Sequence, residues 1–461
     1  MIQDTNNQNK TDELSRNLRN RHLQLIAIGG AIGTGLFMGS GKTISLAGPS
    51  VLLVYALIGF FLFFMMRALG EILLSNLNYR SFADFAGDLL GSWAQFFTGW
   101  TYWFCWIIVG IADVIAIAGY MSFWFPELAR WIPALGLIIV LIAFNLPSVK
   151  YFGEIEFYFA MIKLVAISAL ILIGTYMLLT KFTSPDGTVA AISHLWMHGG
   201  IFPNGFAGFL AGFQIAIFAF QGMELVGTAA AETENPEINL PKAINSIPIR
   251  VALFYIAALF VIMTVTPWTK ADPNVSPFVA MFSLSGLIIA AHVVNFVVLT
   301  SAASSANSGI YSTSRMMFTL ARRKHAPFIL GKLNKRKVPV NALFFSCIFL
   351  LAGVALLYAD QSISAAFTFM TTISATLFIC VWSMIVICYL RYLKKYPEKH
   401  LASIYKVPGG RFSAYAVLAF FACVIAALTQ EADTLQALMV VPFWFIALAI
   451  IYFAAIRKQE V

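Results

Sequence analysis

Charge is scarce in this chain: Asp, Glu, Lys and Arg make up 11% of its 461 residues, against roughly 25% in an ordinary soluble domain. With 60% hydrophobic residues and a mean hydropathy of +0.81, that deficit excludes a water-soluble globular protein. Cysteine is sparse as well. Cys105, Cys347, Cys380, Cys388 and Cys423 all fall in apolar runs, where cysteine behaves as a small apolar side chain. Neither a disulfide framework nor a metal site is suggested. The first 21 residues lack the apolar core and small-residue cleavage site of a signal peptide, so the first apolar run is expected to be retained. A glycine is also missing. GSGKT at 39–43 matches the tail of a phosphate-binding loop, but that motif requires glycine at position 36, which is Leu36.

What the chain has in abundance is apolar runs of about 20 residues, the length that crosses a bilayer as helix. Twelve are read from the sequence, at 22–42, 48–74, 94–124, 131–147, 155–179, 205–231, 247–267, 286–312, 339–358, 363–390, 413–428 and 436–456. The net charge of +9 is distributed in keeping with this reading. With the N-terminus inside, Lys42, Arg130, Lys181 and Lys270 fall outside and Lys163 lies within a run. All other Lys and Arg fall on inner segments, as the positive-inside rule requires. The basic cluster RRKHAPFILGKLNKRK at 322–337 is then an orientation signal or a lipid-headgroup contact, not a nucleic-acid site.

The interruptions in the runs are informative, because Gly and Pro are tolerated in a membrane helix only where the freed backbone finds partners. The first run holds GGAIGTGLFMGSG at 29–41. The sixth holds GFQIAIFAFQGMELVGTAAAE at 212–232, with Gly222 and Gly227 flanking Glu224. Glycines at Gly29/Gly33 and Gly35/Gly39 also have the spacing of simple close packing. Interruptions in runs one and six, five apart, instead match two five-helix repeats of inverted topology with substrate held between broken helices. The expected fold is an all-α integral membrane protein of 12 transmembrane helices, a five-plus-five inverted repeat with helices 1 and 6 broken. The expected units are a cytoplasmic tail (1–21), a first repeat (22–179), a second repeat (205–390), helices 11 and 12 (413–456) and a cytoplasmic C-terminal tail (457–461).

RNRHLQLIAIGGAIGTGLFMGSGKTISLAGPS at 19–50, FAFQGMELVGTAAAETENP at 218–236 and LPKAINSIPIR at 240–250 closely resemble the bacterial amino acid transporter family of the amino acid, polyamine and organocation superfamily. The resemblance runs over essentially the whole chain. It implies the five-plus-five fold and a secondary active transporter that works by alternating access. It also implies that Gly33, Thr34 and Gly35 present backbone N–H groups to a substrate carboxylate, where an opened helix offers the positive end of its dipole. The family pattern puts acceptors for the substrate ammonium at Ile28 or Ala31 and at Phe218, Ala219 and Gln221. Trp106, Phe218, Phe220 and Gln221 are the candidate pocket walls. With no acid at those wall positions, small neutral amino acids are the expected substrates.

Lys163 is the one basic residue deep inside a run. A lysine there costs about 2.5–3.5 kcal/mol on insertion scales, which makes it a functional candidate. The resemblance implies a proton as coupling ion: Lys163 would link the break of helix 1 to Ser304 or Ser305 of helix 8, and loss of its proton would release the link. Glu224 and Asp113, isolated in apolar sequence, are candidates for the same proton path or for helix–helix hydrogen bonds. The other acids, as in ETENPE at 232–237, are expected in a solvated loop.

The sequence thus points to proton-coupled import of small neutral amino acids through a bacterial inner membrane, with membrane lipid and substrate as partners and no nucleic acid. Exchange, or a different neutral amino acid, remains an alternative on the same fold. A transport-inactive sensor is disfavoured because no long signalling loop is seen. An enzyme is disfavoured because no His lies beside SAASSANS at 301–308.

Overall fold

The computed structural model describes residues 24–25, 29–273, 275–359 and 362–457. Its described residues are helical, apart from loops and a single bridge between Thr183 and Val189. Helical residues 29–31 are followed by α1 (Thr34–Phe37), α2 (Gly39–Ala47) and α3 (Val51–Ser75). Next come α4 (Phe82–Leu90), α5 (Ser92–Ser122), α6 (Trp131–Asn145), α7 (Val149–Leu179), α8 (Gly205–Ala211), α9 (Phe213–Ala219) and α10 (Leu225–Ala229). The remainder are α11 (Pro236–Val265), α12 (Pro277–Leu284), α13 (Ile288–Arg322), α14 (Val340–Tyr358), α15 (Ile363–Lys395), α16 (Pro397–Ala402), α17 (Gly410–Leu428) and α18 (Ala432–Ile451).

Among the described residues nine helices are long and apolar enough to cross a membrane, the first of them running from Gly39 to Ser75. Three of the twelve expected runs fall short, each for a local reason. The first and sixth are cut by breaks at residues 32–33 and 220–224, and α6 is only 15 residues long. Some boundaries also move outward. α11 begins at Pro236 rather than 247, and α13 continues to Arg322 rather than ending at 312. Hydropathy alone trims such ends, because it counts charged residues as loop even when they are paired within the fold.

Burial sorts the helices. α5 packs most extensively against α13 and α15 and forms the centre of the bundle, with 83% of its apolar window buried. α7 and α18 lie at the periphery, with 28% and 22% buried. The outward side of α7 carries Leu172, Tyr176 and Leu179, all strongly exposed, as an apolar face turned to lipid would be. At one end of the bundle a loop pair is pinned by Lys270, which donates to Asp186 at 2.5 Å. That hydrogen bond holds the Asp186 carboxyl well below its ordinary value.

Candidate functional site

The two interrupted helices meet backbone to backbone. Gly33, extended at φ −124°, ends the opening helical turn, and α1 starts at Thr34 with no side-chain cap. Gly222 takes φ +100° in the break between α9 and α10, a conformation that suits glycine alone. A Cβ added to Gly222 would lie 2.5 Å from the Gly30 carbonyl carbon, and one on Gly35 would lie 2.6 Å from Ala219 Cα. The glycines in both segments are thus contact surfaces, and each break rests on the other.

Two helices hold the first break in place. Thr34 Oγ1 donates to Asp113 Oδ1 of α5 at 2.7 Å, and Ser301 Oγ of α13 donates to Ile32 O at 2.8 Å. Gly33 packs on Ser305, whose Oγ would be 2.9 Å from an added Cβ. Asp113 is fully buried and its Oδ2 has no partner among the described residues. Tyr255 of α11, a residue not anticipated from the sequence, lies within hydrogen-bond reach of both Ala31 O (2.7 Å) and Ala219 O (2.8 Å). Its hydroxyl has one proton, so it can satisfy only one of these carbonyls at a time. Two of the expected ammonium acceptors are therefore brought together and half occupied. Ile28, a third candidate, lies outside the described residues.

Lys163 is buried on α7 and donates to Gly29 O. The expected link from Lys163 to Ser304 takes another form. Ser304 Oγ donates to Glu156, a fully buried carboxylate that also accepts from Asn307 Nδ2 at 3.2 Å. Glu224, also fully buried, accepts from Gly222 N at 3.1 Å and, at 3.4 Å each, from Tyr102 of α5 and Trp382 of α15. Tyr102 continues to Ser312 and Thr228, so Glu224 belongs to a polar network that ties the second break to three long helices.

The candidate walls separate on inspection. Phe218 touches Gly35 and packs edge-on to Phe367. Phe220 packs against Tyr55 and Tyr255, and Trp106 against Gly309 and Phe378. Different helices thus hold these last two rings. Gln221 Oε1 accepts from Ser374 of α15 at 2.8 Å, while its Nε2 and Trp106 Nε1 have no partner among the described residues. Buried polar atoms seldom go unpaired, so these are natural points for a polar ligand. A cavity of about 620 Å³ is lined by Met38, between α1 and α2, and by Tyr120, Ser276 and Asn295.

The Amino acid permease model matches residues 22–460. The chain belongs to the amino acid permease family. Its members are transporters, so the protein is a multi-pass membrane permease and not an enzyme. The chain is 61% identical to the D-serine/D-alanine/glycine transporter of Escherichia coli, over 95% of this chain and 93% of that protein. It is 51% identical to an amino-acid permease of Bacillus subtilis, over 97% and 96% of the two chains. An aromatic amino acid transport protein of Escherichia coli is 38% identical over 96% of each chain.

In this permease the expectation that the other acids lie in solvated loops is corrected, since Glu156 and Glu232 are both buried. Glu232, read as part of a solvated loop, is 1% exposed. It accepts from Tyr311 Oη and, at 3.1 Å, from Arg315 Nε, with the guanidinium lying 3.7 Å over the Tyr311 ring. Glu156, Tyr255 and Glu232 were all missed, although GEIEF at 153–157 places an acid two turns before Lys163 on one helix face.

Proposed function

We propose that this permease imports small neutral amino acids, D-alanine, D-serine and glycine with L-alanine as a further candidate, by proton symport with alternating access. The reading rests on one observation above the others: two broken helices meet glycine to backbone, at Gly222 on Gly30 and Gly35 on Ala219, with unpaired buried polar atoms around them. Support for the substrates comes from the 61% identical D-serine/D-alanine/glycine transporter.

In this proposal Thr34 and Gly35 donate backbone N–H groups to the carboxylate, beside Gly33. Carbonyls of Ala31, Phe218 and Ala219, with Ile28, receive the ammonium, and Trp106, Phe218, Phe220 and Gln221 bound the side chain. Tyr255 yields whichever of its two carbonyls the ammonium takes. Lys163 carries the coupling proton, with Ser304 and Ser305 fixing the helix it acts against, while Asp113 and Glu224 take part in the same proton path. The architecture proposed is twelve membrane helices, built as a first repeat at 22–179, a second at 205–390 and two further helices at 413–456. Both tails (1–21 and 457–461) then lie in the cytoplasm of a bacterial cell, with the permease in its inner membrane.

Purified protein in sealed vesicles tests the reading. Labelled D-alanine is expected to accumulate under an inward proton gradient without sodium, and a protonophore should collapse it. Accumulation that follows a sodium gradient and ignores pH would refute proton coupling, and absence of any D-alanine entry would refute the pocket.

A further inference from the structure

Lys163 is not alone on its face of α7. Glu156 lies seven residues earlier, two turns or about 10 Å along the axis, and both side chains lie on the buried face of a helix whose other side is exposed. Between them Ala160 touches Gly29, whose added Cβ would be 3.3 Å from Ala160 Cβ and 2.7 Å from Glu156 Oε1. Lys163 holds the carbonyl of that same Gly29. One residue of the opening helical turn, just before the break, is thus held from one helix by a hydrogen bond from Lys163 and by packing against Ala160 and Glu156.

We propose that Glu156 is a positioning residue and the counter-charge of Lys163, and that the two act as one clamp on the segment 29–31. The proposal rests on the proton-coupled reading above and replaces a lone lysine with a pair. Glu156 is suited to the role because its carboxylate is fixed. Ser304 and Asn307 of α13 donate to it, and Asn307 in turn accepts from Asn145 of α6 at 2.7 Å. An ionised carboxylate only accepts, at both oxygens, whereas a protonated one must also donate, so a donor on each Glu156 oxygen suits the charged form. Among the described residues, Asp113 of α5 and Tyr255 of α11 are the titratable groups that hold the first break and the turn before it. Asp113 is committed to Thr34 beyond the break and has one oxygen unpaired, while Tyr255 is committed to the carbonyls of Ala31 and Ala219. When Lys163 gives up its charge, Glu156 is left uncompensated in a buried site. The clamp then loosens as a unit and frees the segment before the break.

A double-mutant cycle tests this, because removing one member of a buried pair is far more harmful than removing both. The cycle compares the parent protein with Glu156→Gln, Lys163→Gln and the double variant, and repeats it with Asp113→Asn in place of Glu156→Gln. Thermal unfolding in detergent and exchange of labelled D-alanine across vesicles are read for each. Each single change is expected to lower the unfolding midpoint and cut exchange about tenfold. The Glu156→Gln/Lys163→Gln protein should recover most of both losses while failing to accumulate substrate under a proton gradient. Additive losses, or recovery only with Asp113→Asn, overturn the proposal. Should the single variants fail to fold, Asn307→Ala keeps both charges and loosens the carboxylate by removing one of its donors. It is expected to lower proton-driven accumulation several-fold with exchange retained, and unchanged accumulation counts against the clamp. A non-additive cycle in a parent protein that ignores the proton gradient would leave the clamp standing and refute the coupling. An additive cycle in a proton-driven parent does the reverse.

Discussion

At position 222 a single hydrogen atom decides whether the two broken helices can meet. The φ of +100° there is strained for any side chain, and a methyl would land within 2.5 Å of the Gly30 backbone, which cannot move aside as a flexible side chain would. Strain of this kind costs about 1–3 kcal/mol before any clash is counted. Gly222→Ala is therefore expected to lower D-alanine exchange by more than tenfold, whereas Gly136→Ala, where an added Cβ meets nothing within 4 Å, should be close to neutral. Vesicle exchange measured on the two variants at matched protein amounts checks this, and equal activities would show that the breaks do not meet in the working protein. Gly222 and Gly33 were legible as breaks because glycine density is a local property of the sequence. Tyr255 was not, since its partners at Ala31 and Ala219 come from other segments and nothing around residue 255 marks it.

Pairs of elements show the same division. The last third of α13, which stays helical to Arg322, carries the buried cation Arg315, with a fixed partner in Glu232 at the end of the segment that follows the second break. Glu232→Gln leaves Arg315 buried without a counter-charge, and breaking such a pair costs about 3–5 kcal/mol. A drop of several degrees in the unfolding midpoint is expected, with a smaller drop for Glu232→Gln combined with Arg315→Leu. At the same end, α4 and α15 are joined at Asp88, which accepts from Tyr79 at 2.6 Å and Lys395 at 2.9 Å. Partial desolvation pushes the Asp88 carboxyl up, but hydrogen bonds from Tyr79, Lys395 and Tyr396 outweigh it and hold the group below its ordinary 3.8. A depressed carboxyl stabilises the fold above its unfolded value and loses that contribution as pH falls through the folded one. The midpoint should therefore fall as pH drops below about 4, and Asp88→Asn should flatten that acid limb. An acid limb identical in the variant would show that this contact contributes nothing.

Over the whole molecule, charge asymmetry sets which end faces the cytoplasm. The loop at 323–339 carries the dense basic cluster, while Lys181 sits among loops at the opposite end. In intact cells Lys181→Cys should react with an impermeant maleimide and Lys332→Cys should not, because basic loops resist crossing the bilayer. Labelling of Lys332→Cys alone would invert the proposed topology. The native cysteines interfere little, since Cys105, Cys347 and Cys388 are buried, Cys380 is half-buried within α15, and Cys423, though exposed, lies on an apolar helix.

Membrane class, helical content, the places of the two breaks and the lone intramembrane lysine are decided by sequence alone, because composition, hydropathy and glycine density need no knowledge of what lies across the bundle. Burial of an acid is different. Glu156 fell among the acids expected in solvated loops, yet its helix starts at Val149 and places it two turns inside. Glu232 passed for solvated loop until Arg315, distant in sequence, was brought against it. Whether a charged side chain is tolerated inside depends on partners that arrive from remote segments, and that pairing exists only once the helices have packed.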